Sequence, residues 1–220
     1  MKIDATFPWL GLYLPEGFHS ASHPARRYGV SLGERIRILS FYTAWRSGRE
    51  GPDLDGIQCV LRGGFMPMLT WEPWWPEKLH DPGRPAEQSE FSLSEILRGR
   101  YDGYIRNWAL ELKKLSCPIL FRPMHEMNGD WYPWCEKANG NRPGEYVKAW
   151  RHIRAIFGEA RCHGLVWVWS PYAHSVPDEP DNDMGRYYPG SGEVDWLGLD
   201  GYNWGTSREW SVWRTFGEIF

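Results

Sequence analysis

The sequence is short of the features that would settle a function quickly. It has four cysteines in 220 residues, Cys59, Cys117, Cys135 and Cys162, with no C-x-x-C pair among them. That spacing reads as free, mostly buried thiols rather than a disulfide framework or a zinc set. Charge is nearly balanced, at a net -3, so nothing draws the chain electrostatically to nucleic acid or an anionic membrane. Its longest apolar runs fall far short of a membrane span. Met1-Lys2-Ile3-Asp4 leads quickly into a strand-like segment, and no signal peptide is visible. There is no glycine-rich phosphate loop after the first strand-like run and no G-x-S-x-G elbow. His125-Glu126 does not extend to H-E-x-x-H, and the histidines do not cluster at metal-ligand spacing.

What the chain has in excess is tryptophan, fifteen in all. Many must be core, because tryptophan buries a large apolar area. Yet Trp71, Trp74, Trp75, Trp131, Trp134 and Trp204 fall in polar, proline- and glycine-rich surroundings. Flat aromatics gathered in loops suit stacking on sugar rings or bases, and the acidic balance disfavours bases.

The chain is organised around Cys117 to Trp134, CPILFRPMHEMNGDWYPW. An apolar run behind a proline, opening into a polar aromatic loop, reads as a buried parallel strand that delivers its last residues to a site. Alternation puts Leu120, Arg122, Met124 and Glu126 on one face. A cation and an acid on a buried face require partners. Glu126, partly desolvated by aromatics, would have a raised pKa and the makings of a general acid, though a surface glutamate is the competing reading. Arg122 is expected to hold an acidic partner deep in the site or to form an ion pair that only stabilises the fold.

Five other strand-like runs flank this one. They are Leu10 to Leu14, Ile36 to Tyr42, Phe65 to Thr70, Leu165 to Trp169 and Val194 to Tyr202. Pro15, Gly17 and Pro24 mark an irregular connection after the first. Leu54, Ile57 and Leu61 have helical spacing, stopped by Gly63-Gly64. Ser92 and Glu95 form a possible capping box. Tyr104, Trp108, Leu112 and Leu115 form one helical stripe; Tyr146, Trp150, Ile153 and Phe157, behind Pro143, form another. Trp210 to Phe220 begins a last helix. Asp200 and Tyr202 end the sixth strand on one face, as a polar pair reaching substrate or as a cap and a packed ring. Trp167 and Trp169 read as core. Polar and aromatic residues gather after the strand C-termini, where a (β/α)8 barrel keeps its active site; only six of the eight strands are found.

The segment Arg122 to Trp134, RPMHEMNGDWYPW, resembles the acid/base segment of family 26 glycoside hydrolases, the β-mannanase type. ILRGRYDGYIRNWA from Ile96 resembles the helix before that strand, MPMLTWEP from Met66 the third strand, and VDWLGLDGYNWG from Val194 the sixth. The resemblance implies one α/β domain over 1–220, a (β/α)8 TIM barrel with about six of its β/α units present. It implies a retaining hydrolase of β-linked polysaccharide, mannan, galactomannan or glucomannan, with no metal or organic cofactor, and the charge balance already leaves no nucleic-acid or membrane partner to expect. An extracellular protein is expected, and a monomer for the complete domain. Glu126 takes the place of the general acid/base and His125 of the histidine beside it. Trp71, Trp131, Asp200 and Tyr202 match substrate-contacting positions, with Arg122 and Trp204 beside them. The nucleophile belongs at the end of a seventh strand that this chain lacks, so a fragment is expected. It should be inactive and prone to self-association through its open sheet edges. A non-catalytic carbohydrate-binding relative, or a glycanase acting on mixed-linkage glucan or xylan, are the alternatives.

Overall fold

The structure, a computed structural model, describes residues 9–13, 36–46, 50–77, 86–115 and 117–220. The irregular connection expected around Pro15, Gly17 and Pro24 and the first residues of the chain lie outside these. Six strands, β1 (Leu10–Tyr13), β2 (Ile36–Ala44), β3 (Met66–Glu72), β4 (Ile119–Pro123), β5 (Leu165–Trp169) and β6 (Trp196–Leu197), pair in sequential order. Every pairing is parallel. This is the singly wound sheet of an incomplete (β/α)8 barrel, with β1 and β6 at its edges.

The helices are α1 (Leu54–Arg62), α2 (Leu93–Leu97), α3 (Asp102–Leu112), α4 (Glu145–Glu159) and α5 (Phe216–Ile219). Asp53 caps α1 by accepting from Gly56 N at 3.0 Å. Gly64 then turns the chain at φ 83°, a conformation that favours glycine. The expected box at α2 does not form: Ser92 Oγ meets Ser94 Oγ at 3.1 Å, and Glu95 pairs with Arg98 and Arg100 instead. A capping box does form at Thr215 and Glu218, which is why α5 starts there and not at Trp210.

Two layers of packing follow from strand alternation. On the helix side, Leu69 and Trp71 of β3, Phe121 of β4 and Trp167 of β5 pack with Trp108 of α3 and Trp150 and Phe157 of α4. On the other side, Met66, Leu120 and Val168 form a smaller cluster that Ile38, Met68, Val166 and Trp196 extend. Of the expected stripes, Trp108, Leu112 and Leu115, and Tyr146, Trp150, Ile153 and Phe157, are buried core, and Tyr104 packs half-buried against it; Trp167 and Trp169 are core too. All four cysteines are free; Cys135 and Cys162 are buried, Cys59 is half-buried and Cys117 exposed.

The sixth strand is shorter than its expected nine residues. Gly198 approaches β5 so closely that a Cβ there would meet Ser170 Oγ at 2.7 Å. Leu197 and Leu199 face solvent, and pairing resumes only at the bridge between Tyr172 and Asp200. Trp210, Val212, Trp213 and Phe216 are also largely exposed. No helix among the described residues is long and apolar enough to cross a membrane.

Candidate active site

Thr70 and Arg122 are register partners on β3 and β4, and both point away from the helices. Arg122 is clamped by three groups. Its Nε donates to Thr70 Oγ1 at 3.0 Å, Nη2 to Tyr42 Oη at 3.1 Å and Nη1 to Asp200 Oδ1 at 2.6 Å. The last is an ion pair whose side chains are 7% and 16% exposed, so the acidic partner expected for Arg122 is Asp200. Burial pushes the Asp200 carboxyl up, and the Arg122 guanidinium opposes it.

Strict alternation does not carry past Pro123. Met124 and Glu126 take positive φ, 49° and 53°, which is strained for residues other than glycine. The irregular path sends Met124 into the helix-side core, where Tyr146 Oη donates to its carbonyl at 3.0 Å. Leu120 and Arg122 therefore share a face, Met124 does not, and Glu126 reaches the cleft through the turn rather than along the strand. The Glu126 N–H is anchored on Ser170 O at 2.8 Å. Trp134 Nε1 donates to His125 O at 2.7 Å. Asn128, fully buried, exchanges hydrogen bonds with the backbone of Tyr172 at 2.9 and 2.8 Å and so ties this loop to the one after β5.

Glu126 is 5% exposed, and its Oε2 accepts from Trp131 Nε1 at 2.9 Å. Burial, with the charge of Asp200 in support, pushes its carboxyl up to about 7; the Trp131 bond and Arg122 oppose the shift. The Trp131 ring lies against Gly129, where a Cβ would meet it at 2.6 Å. His125 is 2% exposed and held well below the usual histidine range, first by burial and then by Arg122, so its imidazole is neutral. A ring nitrogen of His125 and carboxylate oxygens of Glu126 and Asp200 lie within 4.8 Å of one another. These three are the groups that a metal ion would find here, but the Arg122 guanidinium already supplies the positive charge beside Asp200.

Tyr202 and Trp204 stand at the rim, both exposed, with ring centroids 5.3 Å apart. Burial is the main cause raising the Tyr202 hydroxyl, with Tyr42, Glu126 and Asp200 contributing, which puts Tyr202 at the same cleft. Trp71 is different. It is fully buried on the helix side, packed on Tyr104, Trp108 and Phe121, and cannot stack on a sugar. The residue of β3 that does face the cleft is its neighbour Glu72. Glu72 is 5% exposed and accepts from Trp74 Nε1 at 3.2 Å. Burial raises its carboxyl to about 7, against the pull of Trp74 and Arg122. Sequence reasoning missed Glu72; counting alternate residues along β3 from Thr70, the register partner of Arg122, finds it.

The model of glycosyl hydrolase family 26 matches residues 89–220. Endoglucanase H of Acetivibrio thermocellus is 35% identical over 197 residues, covering 86% of this chain and 19% of that protein. Mannan endo-1,4-beta-mannosidase A and B of Caldalkalibacillus mannanilyticus is 36% identical over 98 residues, covering 42% of this chain and 18% of that protein. Among solved structures, GH26A from Muricauda sp. superposes with a TM-score of 0.60 at 23% identity, over 87% of this chain and 66% of that one. Bacillus subtilis mannanase man26 superposes with a TM-score of 0.60 at 20% identity, over 95% and 65%. At such identities the structural matches speak for the fold alone. The chain spans about a fifth of the length of these curated relatives and about two thirds of the solved chains.

Proposed function

This chain belongs to glycosyl hydrolase family 26, and on that premise we propose that it carries the acid/base side of a site that hydrolyses β-linked mannan or glucan. The observation that carries the reading is Glu126. It is a carboxyl at the C-terminal end of a barrel strand, desolvated, held by one indole and titrating near neutrality. Such a group donates a proton to the glycosidic oxygen and then takes one from the attacking water. His125, Asp200, Arg122 and Tyr202 line the same cleft, and Trp131 and Trp204 offer aromatic faces at its rim; we assign them to substrate binding and to holding the acid. Trp71 has no part in this assignment. We read the described residues as one catalytic domain.

A retaining mechanism needs a second carboxylate about 5–5.5 Å from the first. Asp200 stands close enough, but one of its oxygens is committed to Arg122. We leave the nucleophile unassigned among the described residues. Mannan is the substrate named by several relatives; the extent of the match to Endoglucanase H, 86% of this chain against 42% for the mannosidase, favours β-glucan as the second reading. A polymer of either kind is met outside the cell, which is where such an enzyme would act.

The test is reducing-sugar release from β-mannan and from mixed-linkage β-glucan by the whole protein and by its Glu126→Gln variant. The expected result is cleavage of one polymer, with kcat about 10²–10⁴-fold lower in the variant while oligosaccharide binding persists. Undiminished turnover in the variant, or cleavage of neither polymer, would overturn the assignment.

A further inference from the structure

The buried imidazole of His125 has one nitrogen that nothing satisfies. Its Nδ1 is sealed from solvent and makes no hydrogen bond. The carboxyl facing it is Glu72, whose Oε1 lies 4.0 Å away. That is too far for a hydrogen bond as it stands, but buried donors and acceptors are rarely left alone. Contacts of this kind in a free site often tighten when substrate is bound. Imidazole geometry turns Nε2 away from Glu72, and a ring nitrogen of His125 is within 4.8 Å of both Glu126 and Asp200.

We propose that Glu72 is a positioning residue that acts through His125, its protonation deciding which ring nitrogen carries the imidazole proton and therefore whether the cleft meets a hydrogen-bond donor or an acceptor. The proton balance is simple. With Glu72 protonated, its O–H donates to Nδ1 and the imidazole proton sits on Nε2, offering a donor to the cleft. When Glu72 gives up its proton to solvent, the imidazole keeps its own but carries it on Nδ1, donating to the carboxylate. Nε2 is then a bare acceptor. A sugar hydroxyl can satisfy either form, but in opposite senses.

The surroundings support a carboxyl that changes state near neutrality while the imidazole does not. Glu72 is faced by Trp74 from the loop after β3, by Arg122 from β4 and by Glu126 from the loop after β4. Arg122 also disfavours a charged His125. The rings of Tyr42, Tyr132 and Trp134 close the remaining sides of the imidazole, at 5.8, 5.0 and 6.0 Å between centroids. With no room for imidazolium, the tautomer is the degree of freedom left to His125.

The inference rests on the reading of this cleft as a glycan-cleaving site, but its test reads the imidazole directly, so the two can fail separately. The full chain is labelled with ¹⁵N-histidine, and long-range ¹H–¹⁵N spectra are recorded from pH 5 to 9. His125 is assigned by the signal lost in His125→Gln. The expected result is a neutral ring throughout that passes from the Nε2–H to the Nδ1–H form around pH 7. In Glu72→Gln one tautomer should persist at every pH, with the tryptophan indole signals showing that the fold is kept. A single tautomer across the range in the unsubstituted chain overturns the proposal whether or not the variant folds. A pH-driven tautomer change that survives in Glu72→Gln overturns it too. Failure of the chain to bind either mannan or glucan oligosaccharides with the tautomer change intact would sink the reading of the cleft as a glycan site alone.

Discussion

The Trp131 indole N–H meets Glu126 Oε2 at 2.9 Å, and it is the side-chain hydrogen bond that holds the candidate acid. The bond favours the ionised carboxylate and so works against burial, which raises the same group to about 7. Trp131→Phe should therefore move the Glu126 titration upward, read by ¹³C NMR of the glutamate carboxyls. A downward move would mean that the indole acts only as a ring.

Gly129 sets that bond from behind. Gly129→Ala puts a methyl where the Trp131 ring lies, 2.6 Å from its atoms. The ring must shift, and the Glu126 titration should shift in the direction seen for Trp131→Phe. An unchanged titration would show that the loop absorbs the methyl.

Arg122 and Asp200 form a buried pair, and breaking such a pair by removing one partner costs about 3–5 kcal/mol. Arg122→Met is expected to lower stability by that order in urea unfolding, because Asp200 is left buried and uncompensated. A change below about 1 kcal/mol would mean that water reaches Asp200 and screens it.

The two glutamates near 7 make a signed prediction about pH. Their folded values lie above the ordinary 4.5, so the folded state binds more protons than the unfolded state between about 4.5 and 7. Their contribution is intact below 4.5, falls as pH rises through that window and stays lost above it. Glu72→Gln should gain stability relative to the unsubstituted chain at pH 8 compared with pH 4.5. The reverse trend in urea midpoints would show that the carboxyl is ionised in the fold.

Leu197, at 69% exposure on the edge strand, lies in the same chain as Trp210, Trp213 and Phe216, each at 74% or more. An unpaired edge with exposed apolar side chains promotes association. Sedimentation should show concentration-dependent oligomers of the 220-residue chain, reduced by Leu197→Lys. A monomer at all concentrations would refute this.

The apolar runs placed β2 to β5 within two residues at nearly every boundary, because buried parallel strands are continuous in hydrophobicity. The site was less legible where the decisive fact was a pairing. Nothing local joins Arg122 to Asp200 across 78 residues. Trp71 and Glu72 are adjacent, and which of them faces the cleft depends on register with Arg122, not on either residue's chemistry. In a chain so rich in tryptophan, composition could not separate a sugar platform from a core ring. The positive φ values at Met124 and Glu126 were likewise beyond a reading by alternation, since no glycine marks the bend.

The span of the Arg122–Asp200 bond also bears on the order in which the protein assembles. Arg122 is laid down on β4, but its carboxylate arrives only when the segment after β6 docks beside β5. Closing that loop brings together two groups 78 residues apart, and a guanidinium buried without this partner is costly. Amide protons around Asp200 and Tyr172 are therefore expected to become protected after those of β3 and β4 during refolding, and simultaneous protection would refute this order.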